Sequence, residues 1–176
     1  MKFAISTLML MMCLTGMLHA EQEAAPNLLG DKLDAKSGWK IWIHQPVREA
    51  GAKGELKDNT AILTPPAEDA LEKMSVHWMQ LYKEVTLEQD KSYTLTFKTD
   101  APEDCEMQAV YLLSKSPYTH YFDHTLKVKA GPQTHKVTIT PKPSKDGYDT
   151  PRSLRLFCGS VKGATTISDI KLVEPK

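Results

Sequence analysis

The sequence predicts an all-β fold, a sandwich or barrel of short antiparallel strands. Three observations carry that prediction. Apolar and polar residues alternate with a period of two in segment after segment, which is the pattern of a strand with one buried face. Polar or Pro/Gly-rich breaks separate the segments, as turns between strands require. Almost no stretch carries the 3.6-residue period of a helix.

The chain opens differently. Lys2 precedes an apolar run from Phe3 to Leu18, interrupted only by Ser6, Thr7, Thr15 and Gly16, and Leu18-His19-Ala20 follows. A positive charge, a short apolar core and a small-residue exit make a secretory signal peptide, with cleavage expected after Ala20. The alternative is a retained membrane anchor, but the run is short against the roughly 20 apolar residues of a spanning helix. Cys13 lies inside the apolar core rather than at the cleavage point, which argues against lipidation. Residues 1–20 are thus the expected signal, 21–26 a leader, and 27–176 one compact domain. The expected location is secreted or periplasmic, without a membrane partner once the signal is removed.

Within the domain, Trp39, Ile41 and Ile43 share a face and Lys40, Trp42 and His44 share the other. Ala67 to Lys73 is the one stretch compatible with a short helix. In Val76 to Tyr82, read as a strand, Trp78, Gln80 and Tyr82 point one way and His77, Met79 and Leu81 the other. Ser92 to Thr99 alternates without a fault. Met107, Ala109 and Tyr111 continue the face of Cys105. Leu126 and Val128, then Val137 and Ile139, repeat the pattern. Leu154, Leu156 and Cys158 lie opposite Ser153, Arg155 and Phe157, and Ile167 to Leu172 forms the last strand.

The order of small motifs resembles the carbohydrate-binding modules of families 4, 9 and 22. Asn27-Leu28-Leu29 with Gly38-Trp39 resembles their opening strand and Gly-Trp step. Trp78-Met79-Gln80-Leu81, then Val85, Leu87 and Tyr93 to Phe97, resembles their Trp-x-x-Gln-Leu strand, turn and following strand. Ser116-Pro117-Tyr118-Thr119 resembles their Pro-Tyr-Thr loop, and Leu154 to Gly159 with Ile167 to Leu172 their closing strands. The resemblance implies a jelly-roll β-sandwich of two antiparallel sheets, like galactose-binding domains. It implies a non-catalytic module for polysaccharide or oligosaccharide, working as a monomer beside glycoside hydrolases encoded elsewhere. Relatives also use the two chain ends to hold a structural calcium ion. Here Gly30 to Asp34 forms a shorter loop, and Ser168 precedes Asp169 where relatives place an Asp, so the carboxylates at both ends are altered.

A pyranose offers an apolar CH face and a rim of hydroxyls, so its site needs aromatic platforms flanked by amide or guanidinium groups. Trp78, Gln80 and Tyr82 form such a row opposite the Met/Leu core face, and the other reading of Trp78 is packing under a loop. Trp42 is the better exposed tryptophan of its strand. Tyr118 and Tyr121 sit near a Pro-bounded loop able to overhang the sheet. Arg155 lies opposite the core face, as a donor to sugar hydroxyls or an ordinary surface arginine.

Cys105 and Cys158 survive signal cleavage and both face the core. If their strands are antiparallel neighbours the two meet, and an exported pair then reads as one disulfide; the alternative is two buried thiols. Other chemistries find no support. The whole chain carries 22 basic and 22 acidic residues without a cationic cluster, which argues against nucleic acid. His120 and His124 have helical metal-ligand spacing but lie in loop and strand, so no metal site is expected. Nucleophile-elbow and phosphate-loop motifs are absent, and no carboxyl pair suggests glycoside hydrolysis. The competing function is a structural or protein-interaction sandwich that has lost its sugar site.

Overall fold

The computed structural model describes residues 25–67, 74–143 and 150–175. The expected signal peptide, most of the leader, and residues 68–73 of the expected short helix lie outside them.

Among the described residues, ten strands form two five-stranded antiparallel sheets packed face to face. In chain order they are β1 (Lys40–Ile43), β2 (Lys53–Lys57), β3 (Thr60–Thr64), β4 (Met79–Glu84), β5 (Tyr93–Ala101), β6 (Cys105–Leu113), β7 (His120–Val128), β8 (Gly131–Ile139), β9 (Arg152–Phe157) and β10 (Thr165–Val173). One sheet runs β1-β4-β9-β6-β7 and the other β2-β3-β10-β5-β8. The all-β sandwich is therefore as the alternation predicts.

The inward parity is also as expected. Met79, Leu81, Met107, Ala109, Tyr111, Leu154 and Leu156 from the first sheet meet Leu63, Tyr93, Leu95, Phe97, Ile139, Ile167 and Leu172 from the second, all essentially buried. Each such large side chain contributes about 1.5–3 kcal/mol by leaving water. Trp39 and Ile43 join this core, which leaves Trp42 on the outer face. Two polar contacts hold groups within the core. Tyr111 Oη accepts from Leu87 N at 2.9 Å and donates to Val85 O at 3.2 Å. The Thr99 hydroxyl and His135 Nε2 lie 2.8 Å apart.

Two elements escape the sequence reading. The β2–β3 hairpin turns at Asp58 and Asn59, both left-handed with φ of 49° and 60°, the backbone that tight two-residue hairpins need. A short helix, α1 (Gln45–Glu49), begins with Pro46 in its first turn, where a missing N–H costs nothing.

The two ends of the chain do meet, through Asn27. Its Nδ2 donates to Gly30 O and Ile170 O, while its Oδ1 accepts from Leu29 N at 3.1 Å and Leu172 N at 2.9 Å. This donor set does not fit calcium, which takes six to eight oxygens. The Asn27 oxygen already accepts two N–H groups, and Asp169 pairs with Lys98 at 2.8 Å. Lys83 Nζ donates to Leu29 O at 2.6 Å and sits 5.9 Å from the Trp39 ring. An ammonium there repels a metal ion, and burial holds the Lys83 pKa below its ordinary value. No group of three metal-ligating side chains occurs among the described residues.

The structure shows no disulfide between the two cysteines. The strands β6 and β9 are antiparallel neighbours as anticipated, but Gln108 pairs with Phe157 and Ala109 with Leu156. Continued outward, that register carries Cys105 past Cys158 toward Ser160. In that register the two cysteines lie diagonal to each other rather than directly opposite. Both are free thiols in the structure. Burial raises the pKa of each, and that of Cys158 lies far above the ordinary thiol range.

Candidate binding groove

The outer face of the β1-β4-β9-β6-β7 sheet holds a groove of about 670 Å³. Strand parity builds it. Gln108, Val110 and Leu112 alternate with the core residues of β6, and Arg155 and Phe157 with those of β9. Val110, Leu112 and Phe157 form a second, small buried cluster that floors the groove. Above this floor stand Trp42, His77, Gln80, Tyr82, Tyr118 and His120.

Arg155 organises the polar part. Its Nη1 donates to Gln80 Oε1 at 2.7 Å, its Nε to Ser153 Oγ at 2.8 Å, and its Nη2 to Ser114 O at 3.4 Å. Gln80, buried, donates in turn to His77 O at 2.6 Å. The guanidinium lies 4.9 Å from the Tyr82 ring centroid and 6.0 Å from that of Tyr118, a cation–π distance for the first and its outer limit for the second. Burial lowers the Arg155 pKa from its ordinary value. The buried Ser114 hydroxyl has no hydrogen-bond partner among the described residues.

Tyr118 is 52% exposed and Trp42 38%, so two large aromatic faces are open to a ligand. Tyr118 follows the cis Ser116–Pro117 bond and is itself left-handed, with φ of 56°. For a bulky residue that backbone is uncommon and strained, and such strain clusters at ligand-binding positions.

Five of the sequence-derived candidates therefore converge: Trp42, Gln80, Tyr82, Tyr118 and Arg155. Two do not. Trp78 is not in a strand; residues Val76–Trp78 form a 3-10 turn before β4. That turn breaks the alternation, brings His77 to the groove and sends Trp78 back against the core. There it stacks on His44 with centroids 4.9 Å apart. Gly159 permits this, since a Cβ at that position would collide with the Ser75 carbonyl and come within 2.8 Å of Val76 O. Tyr121 is the second correction. The strand β7 starts at His120, so Tyr121 points inward, 2% exposed, with the Arg152 guanidinium 5.0 Å from its ring.

Sequence reasoning missed Phe157, Gln108, Leu112, His77 and His120. For the first three the signal was present, because they lie opposite core residues on strands whose inward faces were assigned. His77 and His120 depend on the turn and on where β7 begins, which alternation does not reveal.

No family model matches the chain, and no curated protein matches it in sequence. Its fold does match solved structures. A chain described as a CBM4 aligns with a TM-score of 0.63 and 21% identity, over 85% of this chain and 97% of that one. The second N-terminal cellulose-binding domain of β-1,4-glucanase C from Cellulomonas fimi aligns with a TM-score of 0.64 and 15% identity, over 88% and 98%. The CBM22-1–GH10 modules of a Clostridium thermocellum xylanase, complexed with xylohexaose, align with a TM-score of 0.53 and 11% identity, over 85% and 28%. The fold is that of the family 4 and family 22 carbohydrate-binding modules, as the ordered motifs imply.

Proposed function

We propose that the protein binds a polysaccharide or oligosaccharide chain, without catalysis, in the groove on the β1-β4-β9-β6-β7 sheet. The observation that carries this reading is the constellation itself. Two exposed aromatic faces, Trp42 and Tyr118, flank an arginine and two glutamines over an apolar floor. Stacking on sugar CH faces and hydrogen bonding to the hydroxyl rim need those two kinds of group together. A sandwich that had lost its ligand would fill this face with its own side chains, whereas the groove stays open at about 670 Å³. The non-catalytic part of the reading rests on the lining, which includes no carboxylate among the described residues, while glycoside hydrolysis uses two. An exported protein acting on glycans outside the cell is consistent with the apolar leader of the sequence.

Affinity electrophoresis and calorimetry against a panel of β-glucans, xylans and acidic glycans test the proposal. Binding to at least one member, weakened at least tenfold by Trp42→Ala, is expected. Retention of none of them would sink the reading.

A further inference from the structure

Resting on that reading, we propose that the groove selects a glycan bearing anionic groups, uronate carboxylates or ring sulfates, over a neutral chain. The argument is one of charge. Elsewhere four exposed lysines pair with carboxylates: Lys91 with Glu88 and Glu174, Lys98 with Asp169, Lys129 with Asp104, Lys162 with Glu103. Arg155 is more buried than these lysines and has no ion-pair partner among the described residues. Its three hydrogen bonds go to neutral acceptors, an amide, a hydroxyl and a peptide carbonyl.

The surroundings do not supply the missing charge. Within the lining, among the described residues, Arg155, His77 and His120 are the ionisable nitrogen groups, and there is neither Asp nor Glu. Lys40 adds a further cation at the edge, 5.9 Å from the Tyr82 ring. Among the described residues, the carboxylates on this face stand outside the lining: Glu106, outward and exposed on β6, faces Lys127 of β7 in the strand register. Glu84 ends β4 and acts on Arg155 only at a distance. Asp123 pairs with Val110 from β7. The chain as a whole carries equal numbers of basic and acidic residues, so the positive groove is local rather than a property of a basic protein.

A half-buried guanidinium without a counter-charge is costly, and an anion entering the groove removes that cost. Three of its five N–H groups are engaged by Gln80, Ser153 and Ser114. The other two remain for a ligand, and a guanidinium fork suits a carboxylate or sulfate oxygen pair. Neutral hydroxyls would satisfy the hydrogen bonds but leave the charge unanswered.

The test is titration calorimetry of the protein with oligouronates (galacturonate, mannuronate and glucuronoxylan series), each beside its carboxyl-reduced neutral counterpart, and with sulfated oligosaccharides. At low salt, at least one anionic series is expected to bind tenfold or more tighter than its neutral partner. The preference should shrink in about 0.5 M salt, through screening, and Arg155→Gln should abolish it while leaving the fold intact by circular dichroism. Binding by uronates alone identifies the carboxylate as the group recognised, and binding by sulfated chains alone identifies sulfate; either supports the proposal. Neutral chains bound as tightly as anionic ones would overturn it while sugar binding stands. If no glycan binds, both readings fall together.

Discussion

The two sheets of this sandwich share a core but present opposite outer faces. On the β2-β3-β10-β5-β8 sheet, the outward residues of β5 and β8 are Thr94, Thr96, Lys98 and Asp100 beside Thr134, Lys136 and Thr138, none of them buried. On the other sheet, β6 buries Met107 and then Ala109 to Leu113 without a break, and β9 buries five of its six residues. A sheet face in water alternates; a strand covered on both sides does not. The loss of alternation in β6 and β9 therefore marks where the outer face carries a floor, walls and a groove.

Breaking that contrast most severely means removing the floor. Phe157→Ala leaves a hole beside Val110 and Leu112, and is expected to cost about 3 kcal/mol of stability, measured by urea unfolding. If the loss were under about 1 kcal/mol, Phe157 would be an ordinary surface aromatic and the two outer faces alike.

Next come the walls. Arg155→Ala removes the guanidinium and frees Gln80, and is expected to weaken glycan binding about thirtyfold, or roughly 2 kcal/mol. Trp42→Ala should weaken it about tenfold with little change in stability. Trp78→Ala should do the reverse, lowering the melting temperature and leaving affinity within about twofold, because Trp78 packs on His44 and the core. Equal losses of affinity in the two tryptophan variants would show that the division between groove and core is misplaced.

A smaller effect separates the inner faces. His135, on the flat sheet, is buried against Phe97 with 4.9 Å between ring centroids, and burial lowers its pKa. The unfolded chain then binds more protons than the folded one, so stability rises with pH. The contribution is fully present above the ordinary histidine value of about 6.5 and is lost as pH falls below it toward the folded pKa. Melting temperature should drop between pH 7 and pH 5, and His135→Gln should flatten that slope.

Alternation made most of the fold legible. Ser92 to Thr99 and Val137 to Ile139 announce strands because one face of each meets water. It also located Gln80, Tyr82 and Arg155, whose inward neighbours Met79, Leu81 and Leu156 are plainly core. It failed at Trp78, because the parity set by Met79 and Leu81 was carried back into Val76–Trp78, a 3-10 turn that lies before the strand. It failed at Tyr121 because the start of β7 is set by the Ser116–Pro117 loop and not by hydrophobic period. The β2–β3 hairpin was hidden for another reason. Its first strand, Lys53–Lys57, buries none of its residues and so carries little pattern to read.

The smallest expected effect comes from the flat face, and it tests whether that face is only a coat. Lys98 and Asp169 form a pair at 2.8 Å with both side chains more than half exposed. They sit at the β10 bulge, where the register shifts between Ser168 and Lys171 and Asp169 has φ of 52°. Exposed pairs of this kind contribute roughly 0–1 kcal/mol, because water screens the charges and ordering two long side chains costs entropy. Lys98→Ala should therefore change unfolding stability by no more than about 0.5 kcal/mol and glycan affinity not at all. The bulge itself is held by the backbone pairs on either side, Lys98 with Ser168 and Thr96 with Lys171, so losing the ion pair leaves the strand in place. A measurable loss of glycan affinity in Lys98→Ala would place a second contact surface on this face. The unequal burial of the two outer faces would then no longer separate a binding surface from a solvated one.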